Sequence, residues 1–183
     1  MGKVILGMTM SLDGFINDRN GDVGPLFPDF SELGKSEVLR EAQRETGAVV
    51  MGRHAYEMGQ GDYTDYEFQV PIFVLTHDVP DKAAKGENDK LTFTFVTDGI
   101  ERAIEKAKAV ADGKNVMVIG GASVAQQCIR TGLLDEIQVD IMPVLLGQGL
   151  RLFEHLGADQ INLEKIKVIE SRIRTYLGFR VVK

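Results

Sequence analysis

Short apolar runs, separated by polar breaks that often carry glycine, dominate this chain. Lys3–Met10, Ala48–Met51, Pro71–Thr76, Leu91–Val96 and Val116–Ile119 are nearly continuous in apolar residues and rich in β-branched ones. Such runs suit strands buried on both faces of a sheet. Between them the apolar positions take a helical period. Leu33, Val38, Leu39 and Ala42 give a helix predicted over Phe30–Glu45 one apolar face, with Glu37, Arg40, Glu41 and Arg44 turned to solvent. Asp29 and Glu32 are spaced as a capping box at its start, and Gly47 ends it. Ile100, Ala103, Ile104, Ala107 and Val110 predict a second helix, led by Asp98 and Glu101 in the same capping pattern. A third follows Gly120–Gly121 and runs to about Arg130. After it the pattern alternates. Leu134–Leu146 reads as a long strand with Pro143 at a bulge or edge, and Leu163–Arg172 with Arg174–Val182 as an antiparallel hairpin. The prediction is an α/β fold with a mixed, mostly parallel sheet, helices on both faces and a C-terminal antiparallel hairpin. No internal repeat or boundary interrupts it, so 1–183 read as a single domain.

The breaks carry the candidate chemistry. In an open α/β sheet, ligands bind outside the carboxyl ends of the strands. Gly52–Arg53, Thr76–His77 and Gly120–Gly121–Ala122–Ser123 all fall at such ends. A glycine pair lets backbone and ligand approach without a Cβ between them. The helix that follows offers unpaired N–H groups and a partial positive charge, which suit a phosphate. Arg53 supplies a planar, permanently charged fork for the same kind of ligand. A tight turn without a ligand is the alternative for each junction, because neither standard nucleotide-binding fingerprint is present. The polar, proline-containing stretch from Asn17 to Phe30 is long enough for a lid or binding edge, or else a solvated hairpin.

Composition narrows the field. The chain has 183 residues, 44% hydrophobic and 26% charged, with a net charge of −6. That balance argues against a dedicated nucleic-acid binder. No apolar run approaches the roughly 20 residues of a membrane helix, and the start lacks the pattern of a secretion signal. One cysteine, Cys128, excludes an internal disulfide and is expected as buried packing. A cytoplasmic location is the expectation. His54, His77 and His155 show no ligand spacing, so no metal is expected.

Several motifs together resemble a known superfamily. VVMGRHAYEMG resembles the cofactor-binding strand and turn of dihydrofolate reductases, MVIGGASV their second cofactor segment, and MSLDGFI the entry to their mobile loop. PVLLGQGLRLF is closer to a sister group, the C-terminal reductase domain of the bifunctional riboflavin-biosynthesis deaminase-reductase and its stand-alone relatives. The resemblance implies a three-layer dihydrofolate reductase-like fold and an NADPH-dependent reductase acting on a small molecule. It implies that Gly52, Arg53 and His54 hold cofactor phosphates, that Thr76 and His77 lie near the adenine ribose, and that Gly120, Gly121, Ala122 and Ser123 hold the pyrophosphate. Thr9, Asp13 and Ile16 would border the nicotinamide. It also implies a cis Gly120–Gly121 peptide. The sister domain forms homodimers, and the resemblance extends that expectation here.

Two features depart from the dihydrofolate reductase pattern. Ala55 stands where a hydroxyl residue is common. The first-helix carboxylate of those enzymes aligns with Ser36, and the neighbouring Glu37 points about 100° away around a helix. That counts against folate reduction and is compatible with reduction of a ribosylamino substrate at C1′, as in the riboflavin pathway. Asp13, Glu37 and Asp140 are the candidate acids, each with a plain structural alternative, and Arg40, Arg44 and Arg151 are candidates for a substrate phosphate. The zinc pattern of a deaminase half is absent from these residues. A dihydrofolate or other small-molecule reductase, and a non-catalytic nucleotide-binding protein, remain as alternatives.

Overall fold

The computed structural model describes residues 2–183. The strands are β1 (Val4–Ser11), β2 (Thr46–Gly52), β3 (Ile72–Leu75), β4 (Phe93–Val96), β5 (Asn115–Val118), β6 (Glu136–Met142), β7 (Leu163–Glu170) and β8 (Thr175–Val181). They form one sheet in the order β4-β3-β2-β5-β1-β6-β8-β7. All neighbours from β4 to β6 are parallel, and β8 and β7 close the far edge antiparallel. The helices are α1 (Phe30–Leu33), α2 (Glu37–Glu45), α3 (Arg53–Glu57), α4 (Ile100–Val110) and α5 (Ala122–Arg130).

Alternate residues of each central strand feed two cores. Val4, Leu6, Ala48, Val50, Val116 and Val118 face α4 and α5, which bury Ala103, Ile104, Ala107, Val124, Ala125 and Cys128 against them. Ile5, Val49, Met51, Ile72, Val74 and Met117 face the other way, under Leu39 and Ala42 of α2, Tyr56 of α3 and the aromatic loop carrying Tyr63 and Phe68. The molecule is therefore the expected three-layer mixed sheet. Burial pushes the Cys128 thiol up to about 12, which fits packing rather than nucleophilic chemistry.

Several boundaries differ from expectation. The helix predicted over Phe30–Glu45 is two helices. Its first turn ends at Gly34, and Ser36 caps a fresh start by accepting from the Leu39 N–H at 3.2 Å. Asp29 makes no capping bond, because its carboxylate is engaged by Arg174 from the far end of the chain. Gly47 lies inside β2 rather than past a helix end. Asp98 likewise does not cap α4. Gly99 holds that position with φ of 102°, and Asp98 pairs with Arg102 and Lys106 instead. The strand expected over Leu134–Leu146 is shorter, ending one residue before Pro143, since proline has no N–H for the ladder.

Candidate active site

β1 pairs with β5 only through Val4, Leu6 and the residue between them, although it pairs with β6 along its whole remaining length, from Ile5 to Ser11. Beyond Leu6 the two central strands part, and Gly7, Met8, Thr9 and Met10 are partly exposed in the middle of the sheet. The connections diverge at the same place. β5 leads through α5 to β6 on one side, while β1 leads through α2 to β2 on the other. This is a switch point of an open α/β sheet, where ligands bind.

The glycine turns line it. The Gly120–Gly121 peptide is cis, with Gly120 at φ of 57°. Its carbonyl accepts from the Gly52 N–H at 2.9 Å, joining the ends of β2 and β5. A Cβ at Gly52 would sit 3.0 Å from Val124 Cγ2, and one at Gly120 3.4 Å from Met8 Sδ, so these turns pack tightly. Gly121 differs: a Cβ there would meet no atom within 4 Å, which leaves room over the start of α5. Helix geometry leaves the amides of Ala122 and Ser123 without intrahelical acceptors. Ser123 is exposed beside them and Ala122 is buried.

Arg53 links this turn to the next strand end. Its Nε donates to Glu57 Oε1 at 2.6 Å and its Nη1 to the Asp78 carbonyl at 3.0 Å. The buried Thr76 hydroxyl donates to that same carbonyl at 2.8 Å. Gly52, Arg53, Thr76, Gly120, Gly121, Ala122 and Ser123 thus surround one end of the sheet. The His54 side chain is 99% exposed and points to solvent beside Glu57, and His77 is exposed after Thr76. The arrangement fits an elongated ligand with several phosphates: backbone donors, one guanidinium and two hydroxyls, with Gly121 leaving the approach clear.

On the other side of β1, two motifs are zipped together. Asp13 accepts from the Ser11 hydroxyl at 2.6 Å and from the amides of Leu146 and Gly147 at 3.1 and 2.8 Å. These bonds, the Ser11 bond foremost, hold its carboxyl down at about 2. Ile16 is buried and donates its N–H to the Leu150 carbonyl, and Asn17 accepts from the Leu150 N–H. Arg151 lies 4.4 Å over the Phe15 ring and donates to the Asp13 carbonyl. Asp13 therefore acts as a clamp between SLDGFI and the loop after β6, with no proton to give near neutrality. Glu37 pairs with Arg44 at 2.8 Å and Arg40 at 3.7 Å on a face where its own side chain is 67% exposed, so α2 brings no buried acid to the sheet.

Asp140 stands differently. It is directly opposite Thr9 on β1 and Tyr176 on β8. Its Oδ2 accepts from Thr9 Oγ1 and from Arg174 Nη1, both at 3.3 Å. Arg174 is fully buried and paired with Asp29 through two bonds, Nε to Oδ2 at 2.9 Å and Nη2 to Oδ1. The Arg174 bonds hold the Asp29 carboxyl below the usual range against the pull of burial. Burial pushes Asp140 up to about 6, against the opposing attraction of Arg174 and the bond from Thr9. Burial, helped by the charge of Asp140, also raises the Tyr176 phenol. Sequence reasoning missed Arg174 and Asp29 as a pair. Nothing local distinguishes Arg174 from Arg172, which is exposed two residues earlier.

Comparison with known proteins agrees with this architecture. The RibD C-terminal domain family matches residues 2–175. The chain belongs to that family. A relative is the uncharacterized Bacillus subtilis protein YyaP, 29% identical over 171 residues, covering 90% of this chain and 86% of that one. Among solved structures, a putative riboflavin biosynthesis protein from Shewanella sp. PV-4 superposes with a TM-score of 0.79 at 24% identity, over 99% of both chains. A bifunctional diaminohydroxyphosphoribosylaminopyrimidine deaminase and 5-amino-6-(5-phosphoribosylamino)uracil reductase from Thermotoga maritima gives 0.74 at 16% identity, with this chain spanning 57% of its length. The RibD C-terminal domain family points to a reductase-like enzyme.

Proposed function

We propose that this RibD C-terminal domain protein is an NADPH-dependent reductase of a small heterocyclic or ribosylamino substrate, resembling 5-amino-6-(5-phosphoribosylamino)uracil reductase. The observation that carries the reading is the parting of β1 from β5, with the Gly120–Gly121 turn beside it bonded to Gly52 at the end of β2. In this reading the amides of Ala122 and Ser123, with Arg53, hold the cofactor phosphates. Thr76 and His77 lie toward the adenine ribose, and Thr9 and Ile16 toward the nicotinamide. When bound, NADPH supplies the hydride. The chain's part is to hold the substrate against the open half of β1 and to fix the surrounding loops through Asp13. A dihydrofolate or other small-molecule substrate is the second reading, favoured by Asp140, an acid that β6 rather than α2 brings to the open strand. The reading takes the protein as cytoplasmic, possessed of a small-molecule partner and no nucleic-acid or membrane partner, and assembled as a homodimer.

The test is a fluorescence titration with NADPH and NADH. Tight NADPH binding and weaker NADH binding are expected. Arg53→Ala should weaken NADPH at least tenfold, because a charged hydrogen bond contributes about 1.5–3 kcal/mol. NADPH oxidation with ribosylaminopyrimidines and with dihydrofolate then separates the two substrate readings. Binding of neither cofactor overturns both.

A further inference from the structure

The row Thr9, Asp140 and Tyr176 crosses three adjacent strands on one face of the sheet. Asp140 is its centre, with 25% of its side chain exposed. Its Oδ2 is engaged by Thr9 and Arg174, while Oδ1 takes no hydrogen bond from any described residue. The charged and titratable groups facing it are Arg174 from the β7–β8 turn, Asp29 from the loop before α1 and Tyr176 from β8. On the α2 side the neighbour of Tyr176 is Ser36, which is uncharged. Arg174 is already matched by Asp29 through two bonds. The Asp140 carboxylate is thus a surplus negative charge at a mostly covered position, with the flat Tyr176 ring beside it. Such a charge is costly unless a cation or strong N–H donors meet it.

We propose that Asp140 is the specificity-determining acid of the cleft, its Oδ1 accepting from the nitrogen edge of a flat ligand that presents an amidine-like pair of N–H groups. The assignment rests on the reductase reading for the identity of the cleft and deepens it by naming what the substrate must offer. Thr9 and Arg174 orient the carboxylate by holding Oδ2. Asp29 keeps Arg174 in place and limits how far that cation favours the ionised form of Asp140.

Benzamidinium is a suitable probe, because it is flat and keeps its positive charge across the range studied. Its affinity is measured by calorimetry from pH 4.5 to 8 on the wild type and on Asp140→Asn. NADPH is titrated into the same samples, and the Asp140 carboxyl is followed by carbon-13 NMR. The expected result is a wild-type affinity that rises at least tenfold through a midpoint of about 6, the value at which Asp140 ionises. The Asp140→Asn profile should be weak and flat, and the Asp140 midpoint should move down when the probe is present. No binding at any pH, a flat wild-type profile, or equal affinity in the variant overturns the proposal. NADPH binding that survives such a result leaves the reductase reading standing. Loss of NADPH binding with Asp140-dependent probe binding intact sinks the reductase reading and keeps the subsite.

Discussion

Replacing Arg174 by methionine removes one guanidinium and keeps much of its volume. The side chain is 0% exposed and its partner Asp29 only 7%, so solvent cannot take over the task of matching the Asp29 charge. The change deletes both bonds to Asp29, the bond to Asp140 at 3.3 Å and the bond to the Leu26 carbonyl at 3.4 Å. Breaking a buried pair from one side costs about 3–5 kcal/mol, mainly because the remaining charge is stranded. At about 2–4 °C per kcal/mol for a chain of this size, the melting temperature should fall by about 6–20 °C. Urea denaturation at pH 7.5, followed by circular dichroism, measures the loss. The pH profile adds a second readout. In the wild type Asp29 titrates below its unfolded value, so its stabilisation is present above the ordinary carboxyl range and is lost as pH falls through the lower folded value. In Arg174→Met, Asp29 and Asp140 face each other without a cation, so stability should instead rise as pH falls toward 5. Arg174→Met with Asp29→Leu should recover most of the loss. A cost below about 1 kcal/mol, or a double variant no more stable than the single one, would refute the assignment of this pair as the brace of the site.

Asp140→Asn tests the opposite sign. Asp140 titrates at about 6 in the folded chain against an ordinary 3.8. The protonated form is therefore favoured by folding below pH 4, and that advantage is lost as pH rises through 6. Relative to the wild type, the variant should gain up to about 3 kcal/mol between pH 4 and pH 8, read by denaturation at both ends. A constant difference would show that Asp140 ionises normally. For Asp13→Ala, hydrogen exchange at the amides of Leu146 and Gly147, which donate to that carboxylate, should quicken well above exchange in β6. Unchanged protection there would mean that the loop after β6 is held by its other bonds alone.

The parts of this molecule that were legible in the sequence are those with local causes. β2, β3 and β5 are short, β-branched and buried on both faces, and their apolar runs show it without reference to the rest of the chain. The Gly120–Gly121 turn was visible because a glycine pair between an apolar strand and a helix serves few other purposes. What stayed hidden is non-local. Asp29 fits a capping pattern, and only the arrival of Arg174 across 145 positions redirects its carboxylate. Gly34 and Ser36 were a local signal that the helix restarts, masked by apolar residues on both sides. Asp140 reads as one polar position in an alternating strand. Its character comes from burial and from Thr9 and Arg174, which reach it from other strands and turns.

The separation between Asp29 and Arg174 also sets an order of assembly. A ribosome that has released the first 130 residues has already supplied Gly52, Arg53, Thr76 and the Gly120–Gly121 turn, and with them β1 to β5 and α5. The strand-end turns proposed to hold the cofactor all lie within that material. The acid end does not. Asp29 waits without its counter-ion, and Asp140 without its brace, until β7 has turned back and Arg174 has emerged. In the proposed reading, the residues assigned to the cofactor phosphates are therefore synthesised before the residue that braces Asp140, and the final hairpin completes the acid end of the site.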